Sequence, residues 1–334
     1  MIFENLYCKI FESFQKYYSA IRDKFKESET PNNINIKKNI SYGKNPENTF
    51  DVYYPIDEKA KKFTTILNIH GGGYVTGSKE QNALYAMILA SIGYLVINME
   101  YTNSQKEPFP KPVEEAFDLL KYISEDKKYK KMIDFDNFFI SGDSAGGHIA
   151  SLVANAQTSE ILKYDLGLCG GAKIKGCILN SPTFTSFNFL NFPWLKNGYK
   201  RVIYGKDLNK VSKICSVTDT ITSNFPPTIV FSANNDFIKM QADKFCKVAK
   251  DLDLAVDHYI FTTGKHLGHD FIINYPHLRE GAYAICKIDE FIKNVKQNNL
   301  KKGVNLHKLN LNKNTKENAN KNQNCQDRGN TFEK

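Results

Sequence analysis

The residues best suited to chemistry surround one serine, in the motif Gly142-Asp143-Ser144-Ala145-Gly146. The motif has the form G-x-S-x-G and lies between an apolar, strand-like run and an apolar, helix-like run. In a strand–turn–helix arrangement of this kind, the glycines let the chain reverse sharply, and the turn lifts the serine hydroxyl clear of the sheet. The pattern predicts a nucleophilic serine, although glycine-rich turns with a serine also occur by chance.

A second motif, His70-Gly71-Gly72-Gly73, directly follows an apolar run at 63–69 that is typical of a buried strand. Its backbone N–H groups can point into a cavity and hold the oxyanion of a tetrahedral intermediate, where the loss of one donor costs about 10²–10³ in rate. A flexible loop and a phosphate-binding loop are the alternatives, but neither G-x-G-x-x-G nor G-x-x-x-x-G-K-[ST] is present here. We interpret His70 as a brace for this loop and not as a catalytic base.

Together the two motifs resemble the hormone-sensitive-lipase-like branch of the α/β-hydrolase family, whose members carry HGGG upstream and GDSAGG at the nucleophile. This chain has HGGGYVTG at 70–77 and GDSAGGHIA at 142–150. The resemblance covers roughly residues 40–297 and implies ester hydrolysis with no cofactor and no metal ion. It also implies an oxyanion hole formed by the backbone N–H groups of Gly72, Gly73 and Ala145.

The segment between the motifs is similar to the "YRLAPE…FP…ED" segment of the family. Tyr101, Pro108-Phe109-Pro110 and Glu114 match that pattern, whereas Thr102 and Asn103 replace its arginine and the apolar residues that follow. The departure affects a supporting polar network and leaves the catalytic groups in place.

A nucleophilic serine needs a base, and the base needs an orienting carboxylate. In α/β-hydrolases these residues follow the serine in the order Asp or Glu, then His. Asp236 comes directly after the predicted strand at 227–233, on the same rim as Ser144. The resemblance implies that Asp236 is the catalytic carboxylate, while its position also suits a helix N-cap.

Two histidines, His266 and His269, follow the predicted strand at 255–261. His269 begins an H-x-F sequence like that of the family, 33 residues after Asp236, which leaves room for one helix, one strand and a short loop. His266 lacks this context, and we interpret it as a loop residue. The resemblance therefore implies a triad of Ser144, His269 and Asp236.

The elements that must position these residues alternate along the chain. Residues 34–40 and 48–55 have the pattern of an antiparallel strand pair with a turn at 44–48. Short apolar runs then alternate with helical patterns as far as a last helix at about 278–297, which is typical of a parallel sheet covered on both faces. We predict an α/β fold of the α/β-hydrolase type, with a mostly parallel central sheet, helices on both faces and a small helical cap.

The predicted organisation has five parts. They are an N-terminal helix with a cap contribution at 1–45, core segments at 46–182 and 226–298, an aromatic cap insertion at 183–225, and a basic, Asn- and Lys-rich tail at 299–334 that is predicted to be disordered. The apolar stripe of the N-terminal helix is interpreted as packing on the body. An interfacial helix on a membrane or lipid surface is the alternative.

Composition excludes several classes of protein. The 334 residues carry a net charge of +9, of which residues 301–334 contribute +5, so the body has no basic stripe that indicates nucleic-acid binding. No apolar stretch approaches the roughly 20 residues of a membrane-spanning helix, and the N-terminus lacks the apolar centre of a secretory signal. The 7 scattered cysteines include no C-x-x-C pair, which argues against zinc and disulfides and predicts a cytoplasmic location.

The predicted function is that of a serine carboxylesterase or lipase-like hydrolase, acting on short- to medium-chain acyl esters through an acyl-enzyme. Because the triad serves both ester and amide chemistry, an amidase or deacetylase is an alternative. A catalytically silent ligand-binding protein of the same fold is another. The expected partner is a small hydrophobic acyl ester. The sequence leaves a homodimer, and a membrane-surface contact through the N-terminal helix, open.

Overall fold

The computed structural model describes residues 9, 13, 31–56, 62–159, 162, 171–185, 201–205, 211, 214–264 and 267–311. Within them, the strands are β1 (Ile34–Ser41), β2 (Thr49–Pro55), β3 (Phe63–Ile69), β4 (Leu95–Met99), β5 (Ile133–Asp143), β6 (Gly176–Asn180), β7 (Thr228–Ala233), β8 (Val256–Thr263) and β9 (Val304–Asn310). They form one nine-stranded sheet in the order β1-β2-β4-β3-β5-β6-β7-β8-β9. β2 is antiparallel to β1 and β4, and all other neighbours are parallel, so the predicted mostly parallel sheet is confirmed.

The helices of the described residues connect these strands. They are α1 (Ala83–Ser91), α2 (Lys111–Glu125), α3 (Lys127–Met132), α4 (Ser144–Thr158), α5 (Val217–Thr220), α6 (Lys239–Asp251), α7 (Phe271–Asn274) and α8 (Arg279–Lys296), with a 3-10 helix at Lys79–Asn82 and a helical stretch at 201–204. The predicted pair β1–β2 and the predicted last helix are both confirmed.

The core consists of two apolar clusters, one on each face of the sheet. Neighbouring residues of a strand enter different clusters: Leu67 of β3 packs with residues of α2, α4 and α6, while Ile66 packs with residues of α1 and α8. Successive side chains of a strand point to opposite faces, so a strand covered on both sides needs apolar residues at nearly every position. This requirement explains why the central strands are short continuous apolar runs.

The predicted disorder of the tail at 299–334 is wrong for its first part, because residues 304–310 form β9, which pairs in parallel with β8. Val304 packs against one core cluster and Leu309 against the other, and the backbone of the segment pairs with an edge of the sheet. Leu311 is buried just after the strand, whereas Leu306 is exposed. The high Asn and Lys content of the tail as a whole does not reveal these few apolar contacts. Residues 312–334 lie outside the described residues.

One other predicted boundary differs from the structure, and two predicted segments lie largely outside the described residues. The core sheet begins at Ile34 of β1, ahead of the predicted boundary at residue 45. Most of the N-terminal helix, and residues 186–200 of the cap insertion, lie outside the described residues. The cap itself therefore stays a prediction.

The strand order brings the loops that carry chemistry to one rim. β3 lies between β4 and β5, and Ile69 at its end is in register with Gly142 near the end of β5. Connections to opposite sides of a parallel sheet open a crevice at the carboxyl ends of the strands, where ligands bind. The loops after β3, β5, β7 and β8 all emerge at this edge.

Candidate active site

Ser144 stands at the junction of β5 and α4, with a left-handed backbone (φ +50°). Such a conformation is strained for a residue with a side chain, and strain of this kind concentrates at functional sites. The flanking glycines make the turn sterically feasible. A Cβ at Gly142 would overlap the carbonyl oxygen of Gly146, and a Cβ at Gly146 would overlap that of Ile69. These overlaps explain why both positions that flank the turn hold glycine.

The structure brings Ser144, His269 and Asp236 together. His269 Nε2 lies 2.9 Å from Ser144 Oγ, and His269 Nδ1 lies 3.0 Å from Asp236 Oδ1. The backbone N–H of Ile238 donates to the same Asp236 oxygen at 3.0 Å. Both imidazole nitrogens are thus engaged, one by a hydroxyl and one by a buried carboxylate, in the geometry that general-base activation of a serine requires. Asp236 is not needed as a helix N-cap, because α6 begins three residues later.

Electrostatics at this site favour a charged imidazole. Burial alone lowers the pKa of His269, but the carboxylates of Asp270 and Asp236 outweigh burial and raise this pKa to about 9. Burial alone raises the pKa of Asp236, and the charge and hydrogen bond of His269 hold it below its usual range. Asp236 therefore stays ionised wherever the histidine is protonated, as a stabiliser of imidazolium must.

The glycine loop after β3 is held by Asp143, the residue before Ser144 in the serine motif. The Gly71 N–H donates to Asp143 Oδ2 at 3.0 Å, and Asn82 donates to Asp143 Oδ1 at 2.6 Å. His70 is buried, with Nδ1 2.7 Å from the Gly71 carbonyl oxygen and Nε2 2.8 Å from Glu100 Oε1. These contacts are those of a brace, and they tie the loop to the nucleophile turn.

The polar network around Thr102 exists despite the departure from the family pattern. The partner of Thr102 is Glu115, and Glu114 is half-exposed at the start of α2. Glu115 is buried and accepts from the N–H and the hydroxyl of Thr102, both at 2.7 Å, and from Asn48 at 2.8 Å. Glu115 lies four residues before Leu119, on the buried face of the helix, and this spacing is the signal that identifies it.

A buried histidine that the motifs do not single out joins three parts of the site. His148 Nε2 lies 2.6 Å from the Cys215 carbonyl oxygen, and its Nδ1 lies 2.7 Å from the hydroxyl of Tyr74, which follows the glycine loop. Burial lowers the pKa of His148 to about 4, so the ring is neutral. It therefore donates from Nε2 and accepts the Tyr74 proton at Nδ1. Its place in an apolar helix, one turn after Ser144, is the only sequence signal for this role.

Two further side chains contact His269. The ring of Phe237 lies 4.7 Å from the imidazole, centre to centre, and Asp270 Oδ2 lies 3.1 Å from Nε2. His266 lies outside the described residues. His258 instead sits within β8, between Ser232 (3.0 Å) and Cys246 (3.4 Å).

The rim geometry and the sheet order define the class of the protein as an α/β-hydrolase. A sequence profile of the alpha/beta hydrolase fold family matches residues 66–272, more than half of the chain. The chain belongs to this family, and the predicted resemblance to its hormone-sensitive-lipase-like esterase branch is confirmed. The matched region includes both glycine motifs, Asp236 and His269.

Curated relatives carry esterase names. An esterase of Gibberella moniliformis (strain M3125 / FGSC 7600) is 28% identical over 185 residues, which are 53% of this chain and 58% of that protein. Probable carboxylesterase 7 of Arabidopsis thaliana is 28% identical over 167 residues, 47% of this chain and 51% of that protein. The chain thus spans less than two thirds of the length of these relatives.

Solved structures share the fold. Esterase B from Lactobacillus rhamnosis superposes with a TM-score of 0.80 at 22% identity, covering 89% of this chain and 98% of that one. A second structure of that esterase, inhibited with a tributyrin phosphonate, has the same TM-score of 0.80 and covers 88% of this chain and 96% of that one. Within the part of this chain that the structure describes, no helix has the length and apolarity to span a bilayer.

Proposed function

We propose that this protein is a serine carboxylesterase that hydrolyses short- to medium-chain acyl esters through an acyl-enzyme intermediate. The observation that carries the proposal is the hydrogen-bonded series from Asp236 through His269 to Ser144. The esterase names of the relatives, and the phosphonate inhibitor of the structural neighbour, support the same class of reaction.

In the proposed mechanism, His269 Nε2 accepts the hydroxyl proton of Ser144 while Oγ forms a bond to the ester carbonyl carbon. Asp236 keeps the other imidazole proton on Nδ1 and stabilises the imidazolium. When the tetrahedral intermediate collapses, the Nε2 proton passes to the departing alkoxide oxygen. A water molecule then attacks the acyl-enzyme by the same sequence, with His269 again accepting and returning the proton.

The carbonyl electron pair moves onto oxygen during each attack, and the proposed donors to this oxyanion are the N–H groups of Gly72, Gly73 and Ala145. The Gly71 N–H is already bonded to Asp143 and is therefore not among the proposed donors. Ala145 lies in the first turn of α4, where N–H groups have no acceptor within the helix. Donors fixed in this way need no reorganisation when charge develops.

The surface beside the imidazole supports an apolar ester as substrate. Phe237 is 58% exposed, and its ring contacts His269. Large apolar side chains at a site rim bind the hydrocarbon part of a ligand by removing it from water. A p-nitrophenyl ester series of increasing acyl length measures how far this preference extends.

The predicted cytoplasmic location and a homodimer remain predictions.

Ser144→Ala tests the reaction itself. We expect its kcat for p-nitrophenyl butyrate to fall to the uncatalysed background, because no other nucleophile is placed in the triad. A fluorophosphonate probe is expected to label the native chain and not this variant. The control is Ser124→Ala, which removes a hydroxyl of α2 that, within the described part of the chain, donates to the Lys121 carbonyl oxygen. Wild-type turnover in Ser144→Ala would refute the assignment.

An aryl-amide substrate run in parallel distinguishes the alternatives on the same triad. Amide turnover equal to ester turnover indicates an amidase or deacetylase. A folded protein with no turnover and no labelling of Ser144 indicates a ligand-binding protein.

A further inference from the structure

The imidazole of His269 is contacted by two carboxylates from opposite sides. Asp236 Oδ1 lies 3.0 Å from Nδ1, and Asp270 Oδ2 lies 3.1 Å from Nε2, the nitrogen that faces Ser144 Oγ at 2.9 Å. Asp236 comes from the loop after β7, whereas Asp270 is the next residue along from the histidine. The first contact belongs to the triad, but the second has no part in the mechanism above.

Asp270 is held in place by the backbone and is not used as a helix cap. It occupies the N-cap position of α7 with a left-handed backbone (φ +56°), yet its side chain makes no cap hydrogen bond. Its N–H donates to Ser181 Oγ at 3.2 Å, and the Ser181 N–H in turn donates to the Phe231 carbonyl oxygen at 2.9 Å. The carboxylate is thus directed at the imidazole by a fixed turn, and its side chain is only 16% exposed.

The chemistry at Nε2 depends on its proton. When imidazole is protonated, its positive charge forms an ion pair with Asp270 in a partly desolvated site. When imidazole is neutral with its proton on Nδ1, the Nε2 lone pair accepts from Ser144 and is repelled by the Asp270 carboxylate. Asp270 therefore favours the acid form of the histidine, whereas Ser144 activation requires the base form.

We propose that Asp270 is a positioning residue that acts through His269: its carboxylate is the counter-ion of the resting imidazolium, and the Nε2 proton must leave to solvent before Nε2 can accept the hydroxyl proton of Ser144. The same contact re-forms when the imidazolium appears in each tetrahedral intermediate. The proposal rests on the proposed function for its kinetic consequences, but the protonation equilibrium of the imidazole can be measured without turnover.

The electrostatic surroundings support this assignment. Among the described residues, the carboxylates that raise the pKa of His269 against the effect of burial are Asp270, Asp236 and Asp143 at the end of β5. The charge of Asp270 is the largest single contribution, while Asp236 acts through both its charge and its hydrogen bond. Asp236 also serves orientation, and Asp143 is committed to Gly71 and Asn82. Asp270 is the one whose charge can be removed while the triad and the glycine loop keep their contacts.

The test is Asp270→Asn, compared with Asp253→Asn as a matched control. Asp253 has a similar left-handed backbone (φ +52°) but lies in the exposed turn before β8, at the other end of that strand, 3.7 Å from Lys302. Because asparagine tolerates this conformation, both variants are expected to fold. Asp270→Gly, in which positive φ carries no cost, repeats the measurement if the asparagine variant is unstable.

The first readout is an NMR pH titration of the imidazole in ¹³C-histidine-labelled protein, with the His269 signal identified by its loss in His269→Gln. We expect the pKa of His269 to fall by one unit or more in Asp270→Asn and to stay at the wild-type value in Asp253→Asn. An unchanged His269 pKa in both Asp270 variants would overturn the proposal.

The second readout is the pH profile of kcat/KM for p-nitrophenyl acetate, corrected with the Ser144→Ala background. Because Asp270 stabilises the resting imidazolium and the imidazolium-like transition state alike, its removal should lower the alkaline plateau by about tenfold per unit of pKa change and alter the rate at pH 7 less. A structural role alone would lower the rate equally at every pH, and that result would also count against the proposal. If neither the native chain nor any variant hydrolyses esters, the proposed function is wrong. The imidazole titration still decides the role of Asp270 in that case.

Discussion

The imidazole of His269 is buried and surrounded by carboxylates, and these two features have opposite effects on its pKa. In the proposed mechanism, its base form is the active one. With a pKa of about 9, most of the protein at pH 7 holds the acid form. The three side chains are therefore assembled at pH 7, but the imidazole is mostly in the protonated form that cannot accept the Ser144 proton.

The pH dependence of the native chain follows from this protonation. We expect kcat/KM for p-nitrophenyl butyrate to rise about tenfold per pH unit from pH 7 and to level near pH 9, because only neutral imidazole accepts the Ser144 proton. Rates are measured from pH 6 to 10 after subtraction of the Ser144→Ala background. A plateau already reached at pH 7 would show that the carboxylates do not control the histidine.

The orienting carboxylate provides a second prediction. We expect Asp236→Asn to lower kcat by roughly 10³–10⁴, because an amide no longer fixes the Nδ1–H tautomer or stabilises the imidazolium. The control is Asp243→Asn on α6, an exposed carboxylate that pairs with Lys239. A loss of less than tenfold in Asp236→Asn, with the control unchanged, would remove Asp236 from the triad.

The proposed catalytic residues could be predicted from sequence because each has a local signature. Ser144 has flanking glycines that the backbone requires, and Asp236 and His269 each follow an apolar strand. Asp270 could not be assigned, since its role depends on a left-handed turn that directs its side chain at Nε2. Glu115 and His148 are similar cases: both lie on buried helix faces, and their partners are distant in sequence and set only by the fold.

Among the secondary-structure elements, β9 differs most from expectation. Its charged and amide residues match a solvated tail, but every second side chain of an edge strand faces solvent, so polar composition is compatible with a strand. The central strands were easier to predict, because burial on both faces leaves uninterrupted apolar runs. The edge strand β9 is therefore the element that composition alone does not predict.

The docking of β9 can be tested with a pair of leucines. Leu311 is buried against the core beside α8, and its carbonyl accepts from the Arg279 guanidinium, whereas Leu306 is 54% exposed. We expect Leu311→Ala to lower the free energy of unfolding by about 2–3 kcal/mol and Leu306→Ala by less than about 0.5 kcal/mol. Urea unfolding monitored by circular dichroism measures both. Equal effects would show that β9 does not dock as described.

For the molecule as a whole, buried histidines link stability to pH in opposite directions. Burial lowers the pKa values of His148 and His258 to about 4, below the roughly 6.5 of an unfolded chain. Below pH 6.5 the unfolded state therefore binds more protons at these two sites, and stability falls as pH falls towards 4. His269 behaves oppositely, because its folded pKa lies above the unfolded value. Its contribution is complete below pH 6.5 and is lost as pH rises to about 9.

The expected result is a maximum in the free energy of unfolding near pH 6.5, well below the pH at which activity levels off. Urea midpoints between pH 4.5 and 9.5 measure this curve. In Asp270→Asn the alkaline loss should shrink, since the folded pKa of His269 moves towards its unfolded value, while the acid side stays unchanged. A native curve that is flat from pH 6.5 to 9 would contradict the link between this histidine and folding.

The position of β9 at the sheet margin has a consequence for biosynthesis. β8 leads into the loop that carries His269, and it gains its second neighbour only when residues 304–310 pair with it. During translation, one edge of β8 remains unpaired until residues 304–310 have left the ribosome. Ser144 and the glycine loop can assemble much earlier on β3 and β5. We therefore expect the proposed triad to assemble only after residues 304–310 have paired with β8, when the nucleophile turn is already in place.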